Sequence, residues 1–174
     1  FMPTGGKGLP VIRIKNSDEK EEMVYFASCL SRGMNKTPGE TNTLSTAEAF
    51  IQLMQEAGIH PIYPDHLEDL CCGTPYSSKG FNKAYKLMAE NTVRSLWKTS
   101  QQGKLPIVVD TSPCTYKMLH YDSILEGEYL QQWKALNIVD IIAYLNDTII
   151  PRLDIKHKAD KIILHPTCSS RKMG

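Results

Sequence analysis

Met23-Val24-Tyr25-Phe26-Ala27-Ser28-Cys29 decides the fold. Its unbroken apolar run, rich in strand formers, fits a strand buried on both faces, and such strands belong to parallel sheets covered by helices. The run delivers a cysteine at its carboxyl end. Shorter runs at 60–63, 105–109 and 161–165 are predicted as the second, third and fourth strands. Helices are predicted between them. Ser45 opens a capping box with Glu48, so a helix runs over 46–57 with Ala49, Phe50, Leu53 and Met54 inward and Gly58 as its stop. A longer helix over 81–100 buries Ala84, Leu87, Met88, Val93, Leu96 and Trp97, and Gly103 follows it. A short helix is expected at 116–121. One or two helices are expected over 125–153, burying Trp133, Leu136, Ile141, Ile142 and Leu145, with Pro151 as exit or kink. Alternating strands and helices predict an α/β, Rossmann-like parallel sheet with helices on both faces and right-handed crossovers.

The chemistry gathers at five cysteines. Cys71-Cys72-Gly73 is a vicinal pair, a poor geometry for a disulfide, with a glycine that lets the backbone turn sharply. Two thiolates held side by side suit a soft metal. Cys29 lies 42 residues before the pair and Cys114 lies 42 after it, with Cys168 near the end. Cys29, Cys114 and Cys168 each follow a predicted strand, and the pair lies in the loop after another. In a parallel α/β sheet that is the edge where ligands bind. Taken singly, Cys29 or Cys168 reads as an ordinary buried thiol; with the pair, the set reads as a site.

The 174 residues carry a formal net charge of +1 and are 41% hydrophobic, enough for one domain with a real core. Near-neutral charge gives no reason to expect nucleic acid as a partner. No apolar run approaches a membrane span, and the cysteine spacing points to a reducing compartment. The Gly-rich start, within residues 1–22, reads as a linker.

Val24-Tyr25-Phe26-Ala27-Ser28-Cys29-Leu30-Ser31-Arg32-Gly33-Met34 is echoed by Ile163-Leu164-His165-Pro166-Thr167-Cys168-Ser169-Ser170-Arg171-Lys172-Met173. A hydroxyl residue precedes each cysteine, and Ser, Arg and Met recur at matching offsets. The separation of 139 residues suggests a duplicated domain, with a first domain over 23–157 and a second, cut short, beginning over 158–174.

Four thiolates, Cys29, Cys71, Cys72 and Cys114, are the number that holds an iron–sulfur cluster. Zinc accepts four thiolates too, more often from close C-x₂₋₄-C pairs. An active dithiol would carry C-x-x-C, which the chain lacks. Ser77, Ser78 and Lys79 read as loop solvation and capping, with tuning of a cluster as the sharper option. His165 stands three residues before Cys168. His60, His66, His120 and His157 share no metal spacing. Asp110 and Asp122 read as loop caps rather than general bases. No G-x-G-x-x-G, P-loop or Ser-His-Asp pattern occurs.

The stretches 25–32, 70–80, 109–116 and 165–169 give the chain a resemblance to the cysteine-rich "CCG" domain family. That family includes iron–sulfur subunits of glycolate oxidase and lactate-utilisation complexes and the B subunit of heterodisulfide reductase. The wording is most similar to the C-terminal part of large bacterial FAD-linked D-2-hydroxyacid dehydrogenases of the D-lactate and D-2-hydroxyglutarate type. The resemblance implies an iron–sulfur electron-transfer domain, 4Fe-4S in kind, in a flavin-dependent oxidoreductase that is inactive as a fragment. Cys29, Cys71, Cys72 and Cys114 would be its metal ligands, with Cys168 opening the second motif. It also implies FAD and ferredoxin-like domains and a second CCG repeat in the full-length chain, a quinone or other respiratory acceptor, and a cytoplasmic location, peripheral attachment to the inner membrane included. The alternative is a non-redox assembly module whose cysteines bind structural zinc or no metal. At Cys114 the chain departs from the family's frequent C-x-x-C, since Thr115, Tyr116 and Lys117 follow, which leaves the ligand count open.

Overall fold

The computed structural model describes residues 9–10, 21–34, 44–156, 161 and 163–173. Four parallel strands form one sheet: β1 (Glu21–Phe26), β2 (Ile59–Ile62), β3 (Ile107–Val109) and β4 (Ile138–Asp140), in the order β2-β1-β3-β4. Val24 pairs with Ile62 on one side and Ile107 on the other, and Ile107 pairs with Ile138. From Met23 on, β1 is fully buried, and so is β3, as their unbroken apolar sequences require. The fold is α/β and Rossmann-like.

The helices are α1 (Cys29–Gly33), α2 (Thr46–Glu56), α3 (Thr74–Ser77), α4 (Asn82–Thr99), α5 (Ser112–Met118), α6 (Gly127–Ala135), α7 (Ile141–Tyr144) and α8 (Cys168–Met173). The chain steps outward from β1 through α2 to β2, then back across β1 through α4 to β3. With right-handed crossovers those two steps put α2 and α4 on opposite faces. The reversal makes the gap beyond the carboxyl ends of β1 and β3 the topological switch point, where such sheets take ligands.

Ser45 and Glu48 form the expected capping box on α2, and the buried stripe is Ala47, Phe50, Ile51 and Met54, at i, i+3, i+4 and i+7. Ala49 and Leu53 are only half-buried. Tyr25 of β1 packs its ring on Phe50 at 4.8 Å and on Tyr63 at 5.8 Å, tying α2 and the end of β2 to the central strand. The inward face of α4 is Tyr85, Ala89, Thr92, Val93 and Leu96; Leu87, expected inside, is exposed. The helix is rotated so that Tyr85 and Thr92, not the aliphatic Leu87, face the loop carrying the cysteine pair.

Three expectations are corrected. The helix expected at 116–121 starts earlier, at Ser112, and ends at Met118, because Pro113 suits a first helical turn. The span 125–153 is not continuous helix: β4 interrupts it, since 138–140 completes the sheet beside β3, and irregular helical turns follow α7 over 145–152. The strand expected at 161–165 has no regular structure at its described residues, and Ile163 and Leu164 are exposed. An apolar run becomes a strand only with a ladder partner and a face to bury, and among the described residues this one has neither. His157 lies outside the described residues, as does most of 1–22, although Leu9 packs on the core and Tyr63 donates to the Pro10 carbonyl at 3.1 Å. Among the described residues no helix is long and apolar enough to cross a membrane.

Candidate metal centre

The switch point is built from three cysteine-bearing segments. β1 runs on to Ser28, whose hydroxyl caps α1 by accepting from Ser31 N at 3.3 Å, and Cys29 is the first residue of that turn. β3 leads to Asp110. Its carboxylate accepts from Tyr25 Oη at 2.8 Å and from Ser28 N at 2.9 Å, and Thr111 Oγ1 donates to Ser28 Oγ at 2.7 Å. Asp110 is therefore a clamp between the two central strand ends, and the first turn of α5 beyond it carries Cys114. On the outer side Asp140 of β4 caps α7 through Ile142 N and accepts from Thr115 Oγ1 at 3.0 Å, holding α5 from behind.

The third segment is the loop after β2. Arg32 of α1 reaches across to it, donating to the carbonyl of Leu67 and, at 2.8 Å, to that of Leu70. Thr92 of α4 donates to the Cys71 carbonyl at 3.0 Å. Gly73 then turns the chain with φ +79°, and its Cα faces the ring of Tyr85. A left-handed residue without a side chain is the only one that fits there. Arg32 thus connects the Cys29 turn to the vicinal pair, and Thr92 fixes the pair from the other side.

These anchors bring Cys72 Sγ within 3.1 Å of Cys114 Sγ, both buried, with Thr74 Oγ1 at 3.2 Å from Cys72 Sγ. Cys71 stands beside Cys72, and its sulfur accepts from Gly73 N at 3.4 Å. Cys29 shares the rim but is exposed. Cys168 is exposed at the start of α8, which packs against α5, the helix of Cys114. So three of the five cysteines form a nest, Cys72 and Cys114 buried and Cys71 half-buried, and the other two stand outside it.

Contact with the Cys72 thiol, and then burial, push the Cys71 thiol up from its ordinary value. Contact with Cys114 does the same to Cys72, helped by burial. Both effects favour the neutral form of Cys71 and Cys72, and a bound cation would displace their protons. A single zinc ion needs its sulfurs about 3.8 Å apart, from tetrahedral bonds of about 2.3 Å. Among the described residues no three cysteine sulfurs lie within 4.8 Å of one another; the group that meets that spacing is His66, Glu68 and Asp69, all exposed. Four thiols are a donor set that suits a soft metal ion or an iron–sulfur cluster, and the 3.1 Å separation of Cys72 and Cys114 is that of two metal-free thiols in contact. Lys117, with Nζ 5.2 Å from the centre of the Tyr85 ring, puts positive charge near the nest.

The remaining sequence candidates stand apart from this nest. Ser78, Lys79, Asp122, His66, His120 and His165 are exposed, and Ser77 is half-buried. His120 contacts the Tyr116 carbonyl through Nδ1 at 2.7 Å. Sequence reasoning misses Arg32, Thr92, Tyr85 and Tyr121. Only Arg32 leaves a signal, its repetition as Arg171. The two stretches share a local turn geometry: Thr167 caps α8 through Ser170 N at 3.1 Å as Ser28 caps α1, and Arg171 N bonds the Thr167 carbonyl as Arg32 N bonds that of Ser28.

Burial sets an order of thiol reactivity. In the reduced, metal-free chain at neutral pH, iodoacetamide is expected to label Cys29 and Cys168 first, Cys71 later, and Cys72 and Cys114 only on unfolding, because the thiolate is the nucleophile and must be reached. Peptide mass spectrometry over time reads the order; Cys72 labelled as fast as Cys168 would contradict the buried nest.

The family described as CCG, cysteine-rich domain, matches residues 23–119, from β1 through α5, the span that supplies Cys29, Cys71, Cys72 and Cys114. Lactate utilization protein A of Macrococcus caseolyticus (strain JCSC5402) is 21% identical over 152 residues, covering 85% of this chain and 56% of that protein. The chain thus spans about half the length of that curated relative. No solved structure matches the chain.

Proposed function

The chain belongs to the cysteine-rich (CCG) domain family, and from that premise we propose that it is the iron–sulfur electron-transfer domain of an enzyme system that oxidises lactate or a related D-2-hydroxyacid. The observation that carries this reading is the contact of Cys72 with Cys114, residues 42 apart in sequence, at the switch point of the sheet with Cys71 beside them. The distant likeness to a lactate utilization protein supports the substrate class.

Cys71, Cys72 and Cys114 would hold the group from the nest, and Cys29 would reach it from the rim. A bound iron–sulfur cluster supplies one-electron storage and transfer. The chain's own residues do the rest. Arg32 and Thr92 hold the vicinal pair, the Asp110 clamp holds the starts of α1 and α5, and Tyr85 and Tyr121 wall the nest against water. In this reading electrons come from an FAD domain through a ferredoxin-like segment of the same enzyme and leave toward a quinone or other respiratory acceptor. Cys168 and α8 open a second cysteine-rich repeat that packs on α5.

Iron and acid-labile sulfide analysis of the full-length protein, with EPR after anaerobic reconstitution, tests the proposal. Iron and sulfide together are expected, with most of both lost in Cys72→Ser. Zinc without iron, with electron transfer intact in Cys72→Ser, would replace this reading by that of a structural assembly module.

A further inference from the structure

Tyr121 is fully buried, yet among the described residues its hydroxyl has no hydrogen-bond partner. Such a group costs stability unless something pairs with it. Its ring meets Tyr85 edge-on at 6.1 Å, and Tyr85 in turn faces the backbone of Gly73. Tyr121 therefore stands one ring removed from the Cys-Cys-Gly turn, on the far side of Tyr85. It is within electrostatic reach of Cys71, Cys72 and Cys114 together. A phenol is a donor that a neutral thiol satisfies poorly and a metal-bound thiolate satisfies well.

We propose that the Tyr121 hydroxyl is a hydrogen-bond donor reserved for the metal-bound thiolates of the Cys71, Cys72 and Cys114 nest. The proposal rests on the nest being a metal centre, and it deepens that reading by naming a residue that stabilises the anionic, metal-loaded state. Tyr121 is neither a ligand nor a support for the empty fold. Donors of this kind to ligand sulfur set affinity and potential in thiolate centres.

Tyr121→Phe removes one oxygen and keeps the ring. The probe is Cd²⁺, titrated into the reduced, metal-free chain and followed by thiolate-to-metal charge-transfer absorption, counting only the part that Cys72→Ser abolishes. Cd²⁺ affinity is expected to fall about tenfold, the worth of one hydrogen bond to a charged acceptor. The melting temperature of the metal-free variant is expected to stay level or rise, because an unpaired buried hydroxyl has been removed. Unchanged Cd²⁺ affinity would overturn the proposal. So would a lower metal-free melting temperature, which would mean that the hydroxyl already has a partner in the fold. A chain that shows the Tyr121 dependence with Cd²⁺ but takes up no iron or sulfide would count against the iron–sulfur reading and leave the donor role standing.

Discussion

Gly73→Ala is expected to destabilise the domain by about 3 kcal/mol, from about 1–2 for a left-handed alanine and 1–3 for overpacking. Gly73 has φ +79°, and a Cβ there would sit 2.5 Å from Tyr85 Cδ2 and 2.8 Å from Cε2. Those are ring atoms of a buried α4 residue whose ring packs against Tyr121, so the ring cannot swing into solvent. The melting temperature should drop by about 6–12 °C in a chain of this size. Gly80→Ala is the matched control. Gly80 has φ +75° but nothing within 4 Å of the place an alanine methyl would take, so it bears only the backbone cost, about 1–2 kcal/mol. The difference between the two variants isolates the approach of the Cys-Cys-Gly turn to Tyr85. Since Cys72 is the neighbour of Gly73, the variant that survives folding should also lose protection of Cys72 from alkylation. Equal melting temperatures for the two alanine variants would show that the turn and the ring are not in contact.

How far this site is legible in the sequence depends on which residues carry it. β1 and β3 are central strands with continuous apolar sequences, and their reading places Cys29 and Cys114 on one edge. The vicinal pair announces itself by composition. What local sequence does not supply is side-chain pairing across the fold. β4 has three half-buried residues and no glycine or proline to separate it from α6 and α7, so it becomes visible only through its ladder with β3. The opposite error falls at 161–165, where apolarity suggests a strand that finds no ladder among the described residues. The same limit hides the residues around the nest. Thr92 and Tyr85 lie on a helical face that a count of aliphatic residues turns toward Leu87. Tyr121 follows α5 in a short turn whose burial depends wholly on tertiary packing. Asp110 reads as a local cap, because its partners, Tyr25 and Ser28, are more than 80 residues away.

That distance is why Asp110→Ala is expected to be the second large effect. The substitution leaves Tyr25 Oη and Ser28 N, both belonging to buried residues, without their acceptor. Each orphaned group costs about 1–3 kcal/mol, so a loss of about 3 kcal/mol is expected. Asp110→Asn should be far milder, about 1 kcal/mol, because the amide oxygen can accept from Ser28 N while its NH₂ donates to a phenol turned the other way. Tyr25→Phe removes the other half of one bond, and the cycle of Asp110→Ala with Tyr25→Phe should show coupling, since the double variant no longer buries an unpaired phenol. Denaturant unfolding of the four proteins measures it; additive losses would mean that the two groups do not meet. The consequence reaches the metal site because Ser28 is the cap of the turn that begins with Cys29. With the clamp gone, the start of α1 keeps the Thr111–Ser28 hydrogen bond and the reach of Arg32 to the cysteine loop, a looser hold, and iron retention should fall in Asp110→Ala while Asp110→Asn keeps it. A charge effect would predict the reverse grouping, with both neutral variants alike, so the asparagine variant decides whether Asp110 acts by its charge or by its geometry.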